Sequence, residues 1–343
     1  MSRCAALLLL AFSATLHAAI EPAPATVVTD EKPIDSAWVE SETLDGVEFY
    51  LGDWKSPTRV KVTRKRGQYK EVLYTGNGED ASFMRAEVLF NSPDFAKAPE
   101  HYKKATVSAK WNWEIEQAYR RGADALARSN KGAEALEMLK EYVAKYPKNV
   151  HMAEVVSLRA RLRMGTGDHA GAIADYQEMT KQGKAWSPTA ELEGMIGQRS
   201  VLVAQKKFAD AVALLTPYWA KLKPDPEDPS FGKIGLAVCE DLEADGKIDA
   251  CIPALKKLYL APVTTEIQCK ARLHHARLLA KANDTEGNLA AFDHAALAAL
   301  LGADEETQAA AVKLARELIA RIDKDKKLSD EVRKDYRAYA ASL

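Results

Sequence analysis

The sequence predicts a mainly α fold, an α-solenoid of helical hairpins preceded by a small antiparallel β-module. Three observations carry this prediction. From residue 37 to about residue 91, short segments rich in Val, Tyr, Phe and Thr alternate between apolar and polar positions. After Pro93 the chain changes to long segments of Ala, Leu, Lys and Glu with helical periodicity. Within those segments small residues return at a nearly constant interval, the mark of a repeat.

The totals fit a folded protein. Of 343 residues, 47% are hydrophobic and 28% charged, enough to bury a sizeable core. The 48 basic and 49 acidic side chains leave a formal charge of -1, and no run of five like charges occurs. The balance argues against a nucleic-acid footprint or a polybasic membrane patch.

Residues 1–19, "MSRCAALLLLAFSATLHAA", place Arg3 before an apolar stretch from Ala5 to about Phe12, followed by small residues around Ala18 and Ala19. This is the pattern of a cleaved secretory signal peptide, which predicts a periplasmic or secreted protein. Cys4 precedes the apolar stretch and is therefore not a lipoprotein cysteine, and no segment is long enough for an integral membrane span. Residues 20–36, rich in Pro, Thr and acids, read as a linker. Residues 37–91 form the β-module, with strands in "GVEFYLGDW" (46–54), "RVKVTRKR" (59–66) and "YKEVLYTG" (69–76). "SFMRAEVLF" (82–90) fits either a last strand or a helix containing Ala86. Val88, Leu89 and Phe90 favour the strand.

Residues 92–303 carry two ladders. Small residues stand at Ala98, Ala135, Ala172, Ala211, Cys251 and Gly287, at intervals of 37, 37, 39, 40 and 36. Four positions after the first five come Tyr102, Leu139, Tyr176, Leu215 and Leu255. An i, i+4 pair shares one helix face, so each pair sets a notch beside a bulky knob. The second ladder lies eleven or twelve residues upstream, at Ala123, Ala160, Ser200, Cys239 and Ala276. Turn signals such as "NKGA", "GTGD", "QKKF" and "ADGK" separate the two. Each unit is then helix A, short turn, helix B. Pro147, Pro224 and Pro262 follow the B notches where a proline can end a helix. Residues 304–343 supply two amphipathic helices without a notch, a C-terminal cap.

The unit resembles the tetratricopeptide repeat, whose second helix is marked by Ala, three residues, an aromatic residue and a later Pro. The likeness, of an exported bacterial type, covers roughly residues 93 to 300 and is best at Ala98/Tyr102, Ala135 with Pro147, and Ala172/Tyr176. The intervals exceed the family's 34 residues, and its helix A signature of Trp and Leu-Gly is mostly absent. The resemblance implies that helices A line a concave face, with positions three before and one or five after the A notch facing inward. On this chain those positions select Arg120, Asp124, Arg128, Ser157 and Arg161 as candidate binding residues, with Glu240 beside Cys239. Arginines suit a carboxylate or acidic peptide segment.

Other clusters carry less chemistry. "GDHAGAIADY" (167–176) brings Asp168, His169 and Asp175 together, but its repeat-spaced residues are Ala172 and Tyr176, which makes the acids and the histidine turn and helix residues. His274, His275, His294, Asp284 and Glu286 match no metal-ligand motif. Cys239 and Cys251 occupy facing small positions of one hairpin, which predicts a disulfide in an oxidising compartment, worth on the order of 3 kcal/mol in the chain-entropy view. Their plain alternative is two buried cysteines acting as small apolar residues. Trp111 and Trp113 open a helix A where packing at the module junction is expected. No Gly-x-Ser-x-Gly, glycine-rich phosphate loop or Ser-x-x-Lys occurs, so the sequence predicts no enzyme and no cofactor. The expected function is an exported scaffold that binds a protein or peptide of the cell envelope. The alternative is a carbohydrate-binding or wall-remodelling protein whose β-module carries the site, favoured if Tyr50, Trp54, Tyr69 and Tyr74 form one flat patch.

Overall fold

The computed structural model describes residues 20–76, 78–92, 95–302 and 304–343. The leader expected over residues 1–19 lies outside them. The chain divides into two compact units, the first ending at Ala190 and the second beginning at Glu191.

In the first unit a sheet comprises β1 (Ala23–Val28), β2 (Ile34–Thr43), β3 (Gly46–Leu51), β4 (Val60–Lys65) and β5 (Glu71–Tyr74), in the order β4-β3-β2-β1-β5. All neighbours are antiparallel. Residues Ala25, Val27, Ala37, Val39, Val47 and Phe49 form its buried face with Tyr69. In the β2–β3 ladder Val39 opposes Phe49 and Ser41 opposes Glu48, so Glu40 is an extra residue, a β-bulge. The bulge reverses the side-chain alternation beyond it and brings Glu42 opposite the fully buried Val47, on the otherwise apolar face.

Two stretches differ from the reading of the sequence. Within the presumed linker, Ala23, Ala25 and Val27 alternate as buried residues, and β1 lies in the middle of the sheet between β2 and β5. Residues 82–90 are helical, within α1 (Ala81–Asn91). Asp80 caps this helix by accepting the Phe83 N–H at 2.8 Å, and Phe83, Ala86 and Leu89 bury one helical stripe. Cap and stripe outweigh the β-preference of Val88 and Phe90.

The first unit continues with α2 (Ala98–Ser108), α3 (Asn112–Arg128), α4 (Gly132–Lys145), α5 (Met152–Gly165) and α6 (His169–Gln182). The helix α7 (Ala190–Ala204) begins at its boundary, and the second unit adds α8 (Phe208–Lys221), α9 (Ser230–Ala244), α10 (Ile248–Leu260), α11 (Thr265–Ala282), α12 (Thr285–Leu301), α13 (Glu305–Ile322) and α14 (Asp330–Ala341). Successive helices pack on one another from α1 to α6 and from α8 to α14, and odd-numbered helices also touch: α1 with α3, α3 with α5, α9 with α11, α11 with α13. This is the pairing of a tetratricopeptide-like helical repeat. All six B notches are buried, one on each even helix from α2 to α12, as are the knobs Tyr102, Leu139, Tyr176, Leu215 and Leu255. On α14 no residue is fully buried, as suits a terminal helix.

The turns inside the hairpins repeat as closely as the notches. Asn130, Gly167, Lys206, Gly246 and Asn283 all adopt left-handed backbone, with φ of 58°, 81°, 58°, 76° and 50°. In four of them the next N–H reaches back five residues: Lys131 to Leu126, Asp168 to Arg163, Lys207 to Leu202 and Lys247 to Leu242, at 2.8–2.9 Å. These are Schellman closures, which satisfy the last carbonyls of helix A. Glycine and asparagine tolerate the conformation, whereas Lys206 holds it against its own Cβ. Lys206→Gly should therefore raise the unfolding free energy by about 0.5–1 kcal/mol, read from the denaturant midpoint, while Gly246→Lys lowers it.

Candidate functional site

Arg120, Asp124 and Arg128 follow at four-residue spacing along one face of α3, and Ser157 and Arg161 do the same on the adjoining α5. The structure thus gathers these five predicted residues within one unit. Glu240 lies on α9 in the other unit, where it accepts from Arg199 Nη2 at 2.7 Å. Most of the charges already have partners. Arg120 Nη1 donates to Glu154 Oε2 on α5 at 2.7 Å, and Arg128 Nε donates to Asp124 Oδ2 at 2.9 Å. The Arg128 guanidinium also lies 4.8 Å from the Phe95 ring centre and 5.5 Å from that of Phe90. Ser157 is half-buried, and Arg161 is exposed with no ion pair among the described residues. Ion pairs as open as Arg128–Asp124 contribute only about 0–1 kcal/mol, so an incoming carboxylate competes for them readily.

Buried charges elsewhere are structural. Asp168 caps α6 by accepting the Gly171 N–H at 2.9 Å, and His169 is the first residue of that helix. Asp175 is almost wholly buried, accepting from Arg159 Nη2 at 2.6 Å and facing Arg163 Nη1 at 2.8 Å. In the second unit the buried Asp241 on α9 pairs with Arg199 Nε on α7 at 2.8 Å, between successive A helices rather than within a hairpin. Sequence reading missed these pairs, although a signal existed: Arg159 and Arg199 each stand directly before an A notch.

Cys239, Cys251 and Cys269 are buried free thiols. Cys251 donates to the Cys239 carbonyl at 3.2 Å, so the two predicted partners are adjacent, while Cys269 belongs to a separate cluster with Leu273 and Ala298. The late histidines separate. His274 Nε2 meets Glu243 Oε2 at 2.6 Å, whereas the rings of His275 and His294 lie tilted 4.4 Å apart, with Tyr259 stacked on His275. No group of three or more His, Cys, Asp or Glu is placed to hold a metal among the described residues.

The four aromatics of the β-module do not share one patch. Tyr69 is buried, with its hydroxyl donating to Glu42 Oε1 at 3.2 Å, and Tyr74 stacks on Trp113 at 5.3 Å. Tyr50 and Trp54 belong with Trp38 on the other face, where Arg59 and Lys55 cover their rings. The two tryptophans do serve the junction: Trp111 is buried and bridges to Glu21, while Trp113 takes Tyr74.

The geometry defines the class, a tetratricopeptide-like helical repeat protein with an N-terminal antiparallel sheet. No known protein family and no curated protein matches the chain. Among solved structures it is similar to a protein of Podosopora anserina with nearly identical TPR-like repeats, at 15% identity and a TM-score of 0.42, over 57% of this chain and 94% of that one. The C-terminal part of a TPR repeat-containing protein from Cytophaga hutchinsonii aligns over 71% and 97%, at 17% identity and a TM-score of 0.40. The TPR2AB domain of yeast Sti1, solved in complex with pHSP90, aligns over 71% and 97%, at 13% identity and a TM-score of 0.28. No helix among the described residues is long and apolar enough to cross a membrane.

The buried pair His275 and His294 should make the second unit sensitive to acid. Burial, then the neighbouring His294, lowers the His275 pKa from 6.5 to about 4, and burial also lowers that of His294. Below 6.5 the unfolded chain takes up protons that the folded one refuses, so stability should fall as the pH drops from 6.5 towards 4. His275→Phe should flatten that slope, measured as the pH dependence of the thermal midpoint.

Proposed function

We propose that this protein is an exported, non-enzymatic scaffold that docks an acidic segment of a cell-envelope protein or peptide on the α3–α5 face. The observation that carries this reading is Arg161, an exposed guanidinium without an intramolecular carboxylate among the described residues, next to the half-buried Ser157. Arg128 adds a second cation, stacked on Phe90 and Phe95 and restrained only by an exposed i, i+4 pair. Arginine forks on rigid helices recognise carboxylates bidentately with little ordering of the protein. Stacked hairpins suit such a role because they present side chains from successive helices along one surface. Export rests on the Arg3 n-region and the apolar stretch after it.

Crosslinking pull-down from the envelope fraction of the source cells should recover one stoichiometric protein with the wild type and lose it with Arg128→Glu/Arg161→Glu. Both side chains are exposed, so the variant keeps its far-UV circular dichroism. Unchanged recovery would sink the proposal.

In the exported protein Cys239 and Cys251 form a disulfide in this reading, since they face each other where α9 and α10 pack. Intact mass of the exported protein should then match a chain without residues 1–19, lighter by about 2 Da than after reduction. Unfolded without reductant, that chain should leave Cys269 alone open to alkylation. Alkylation at all three positions refutes the bridge.

A further inference from the structure

The first unit contains a cavity of about 410 Å³ between the sheet, helix α3 and the segment that leads into α5, within the size range of small-ligand sites. Its walls carry Glu42, Arg66, Trp113, Glu116, Arg120 and His151. Both walls supply both signs: Glu42 and Arg66 come from the sheet and the turn after β4, Glu116 and Arg120 from α3. Such a lining is unusual for the space beneath an apolar sheet face. Glu42 reaches it only through the β-bulge at Glu40, and bulges commonly re-aim a side chain beside a functional site.

These groups are not neutralised by one another in the usual manner. Burial raises the Glu116 pKa to about 7 and also raises that of Glu42. Burial, followed by Arg120 and Arg66, lowers the His151 pKa to about 4, so the imidazole stays neutral. The Arg120 fork gives Nη1 to Glu154, while its Nε and the Trp113 Nε1 are buried donors without an acceptor among the described residues. Among the described residues no ion pair joins Glu42 or Glu116 to Arg66 or Arg120, which act on the carboxyls only at longer range, and Glu42 keeps one oxygen besides the one that accepts from Tyr69. The Trp113–Tyr74 stack offers an apolar wall beside them.

We propose that this cavity is a binding site for a small zwitterion of the amino-acid or dipeptide kind, its ammonium held by Glu116 and Glu42 and its carboxylate by Arg120 and Arg66. A ligand with a single charge would satisfy one pair and leave the other desolvated and facing it. A ligand with both charges a few bonds apart meets both pairs, and a short side chain lies against Trp113. The site stands independently of protein docking on the α3–α5 face.

The test uses the full chain, thermal unfolding and titration calorimetry. The probes are the free L-amino acids and simple dipeptides, each beside the amine and the carboxylic acid that keep only one of its charged ends. At least one zwitterion should raise the wild-type midpoint and bind at least ten-fold more tightly than either single-charge analogue. Glu116→Gln keeps the shape and removes a buried charge, so it should fold at least as stably as the wild type yet lose the zwitterion at least ten-fold. Glu42→Gln, on the opposite wall, should do the same. If no zwitterion binds at millimolar concentration, if an amine alone binds as well, or if both variants bind unchanged, the proposal is wrong.

Discussion

Two helix backbones come close together only where no large side chain stands between them, and the architecture of this chain depends on that close approach. Gly287 shows how little room there is: a Cβ on it would lie 3.0 Å from the Leu279 carbonyl oxygen on the partner helix of its hairpin. At Gly235 the added atom would lie 2.5 Å from Leu258 and 2.8 Å from Trp219. The notch lets the helices meet, and the knob four residues on the B helix further along fills the space beside it. Burying one such Leu or Tyr stabilises by about 1.5–3 kcal/mol, too little to hold a hairpin alone against its chain entropy. Adjacent hairpins must share the buried surface, which is why within α1 to α6 and within α8 to α14 the contacts run from helix to helix and between alternate helices as well.

The notch also determines what the other positions can do. One position before an A notch, Arg159 reaches Asp175 on its own helix B, and Arg199 on α7 reaches Asp241 on the next helix A, α9. Positions three before and one or five after point elsewhere, and Arg120, Asp124 and Arg128 appear there on one face of α3. The left-handed closures at Asn130, Gly167, Lys206, Gly246 and Asn283 fix the exit from helix A to a single geometry, so the register between the two ladders persists although the repeat length varies. Buried ion pairs add little net stability compared with apolar replacements, but they penalise any register that separates Asp175 from Arg159.

The repeat was legible because its signal is steric: a small residue returning six times, followed in five of them by a bulky one a helical turn later. Elements whose signal was weak per residue were misread. In β1 the inward residues Ala23, Ala25 and Val27 are scarcely more apolar than the prolines around them, so alternation is hard to distinguish from linker composition. In α1 the run Val88-Leu89-Phe90 looks like a strand, and only the Asp80 cap with Phe83, Ala86 and Leu89 on one stripe discloses the helix. The candidate residues on α3 and α5 followed from the family resemblance, whose inward positions were counted from the notches. The neutralisation of Arg120 by Glu154 did not, because the two are 34 positions apart and meet only through helix packing. The Asp124–Arg128 pair was readable from its i, i+4 spacing.

The bulge at Glu40 explains why the cavity escaped the sequence. Strict alternation from Ala37 and Val39 would turn Ser41 and Thr43 inward and Glu42 to the other face, and one inserted residue exchanges them. The result is a carboxyl on an apolar face, opposite a second carboxyl on α3, both held where ionisation is unfavourable. Within the sheet Glu42 accepts from the buried Tyr69 hydroxyl, but Val47 and Phe49 fill that face, and main-chain bonds from Glu21 to Lys110 and from Leu44 to Lys148 fasten the module to the helices without it. Local rules of a fold are broken most often where function needs the break. The six B notches from α2 to α12 all obey theirs in being buried, and the inward carboxyl stands apart at the junction where the sheet meets α3.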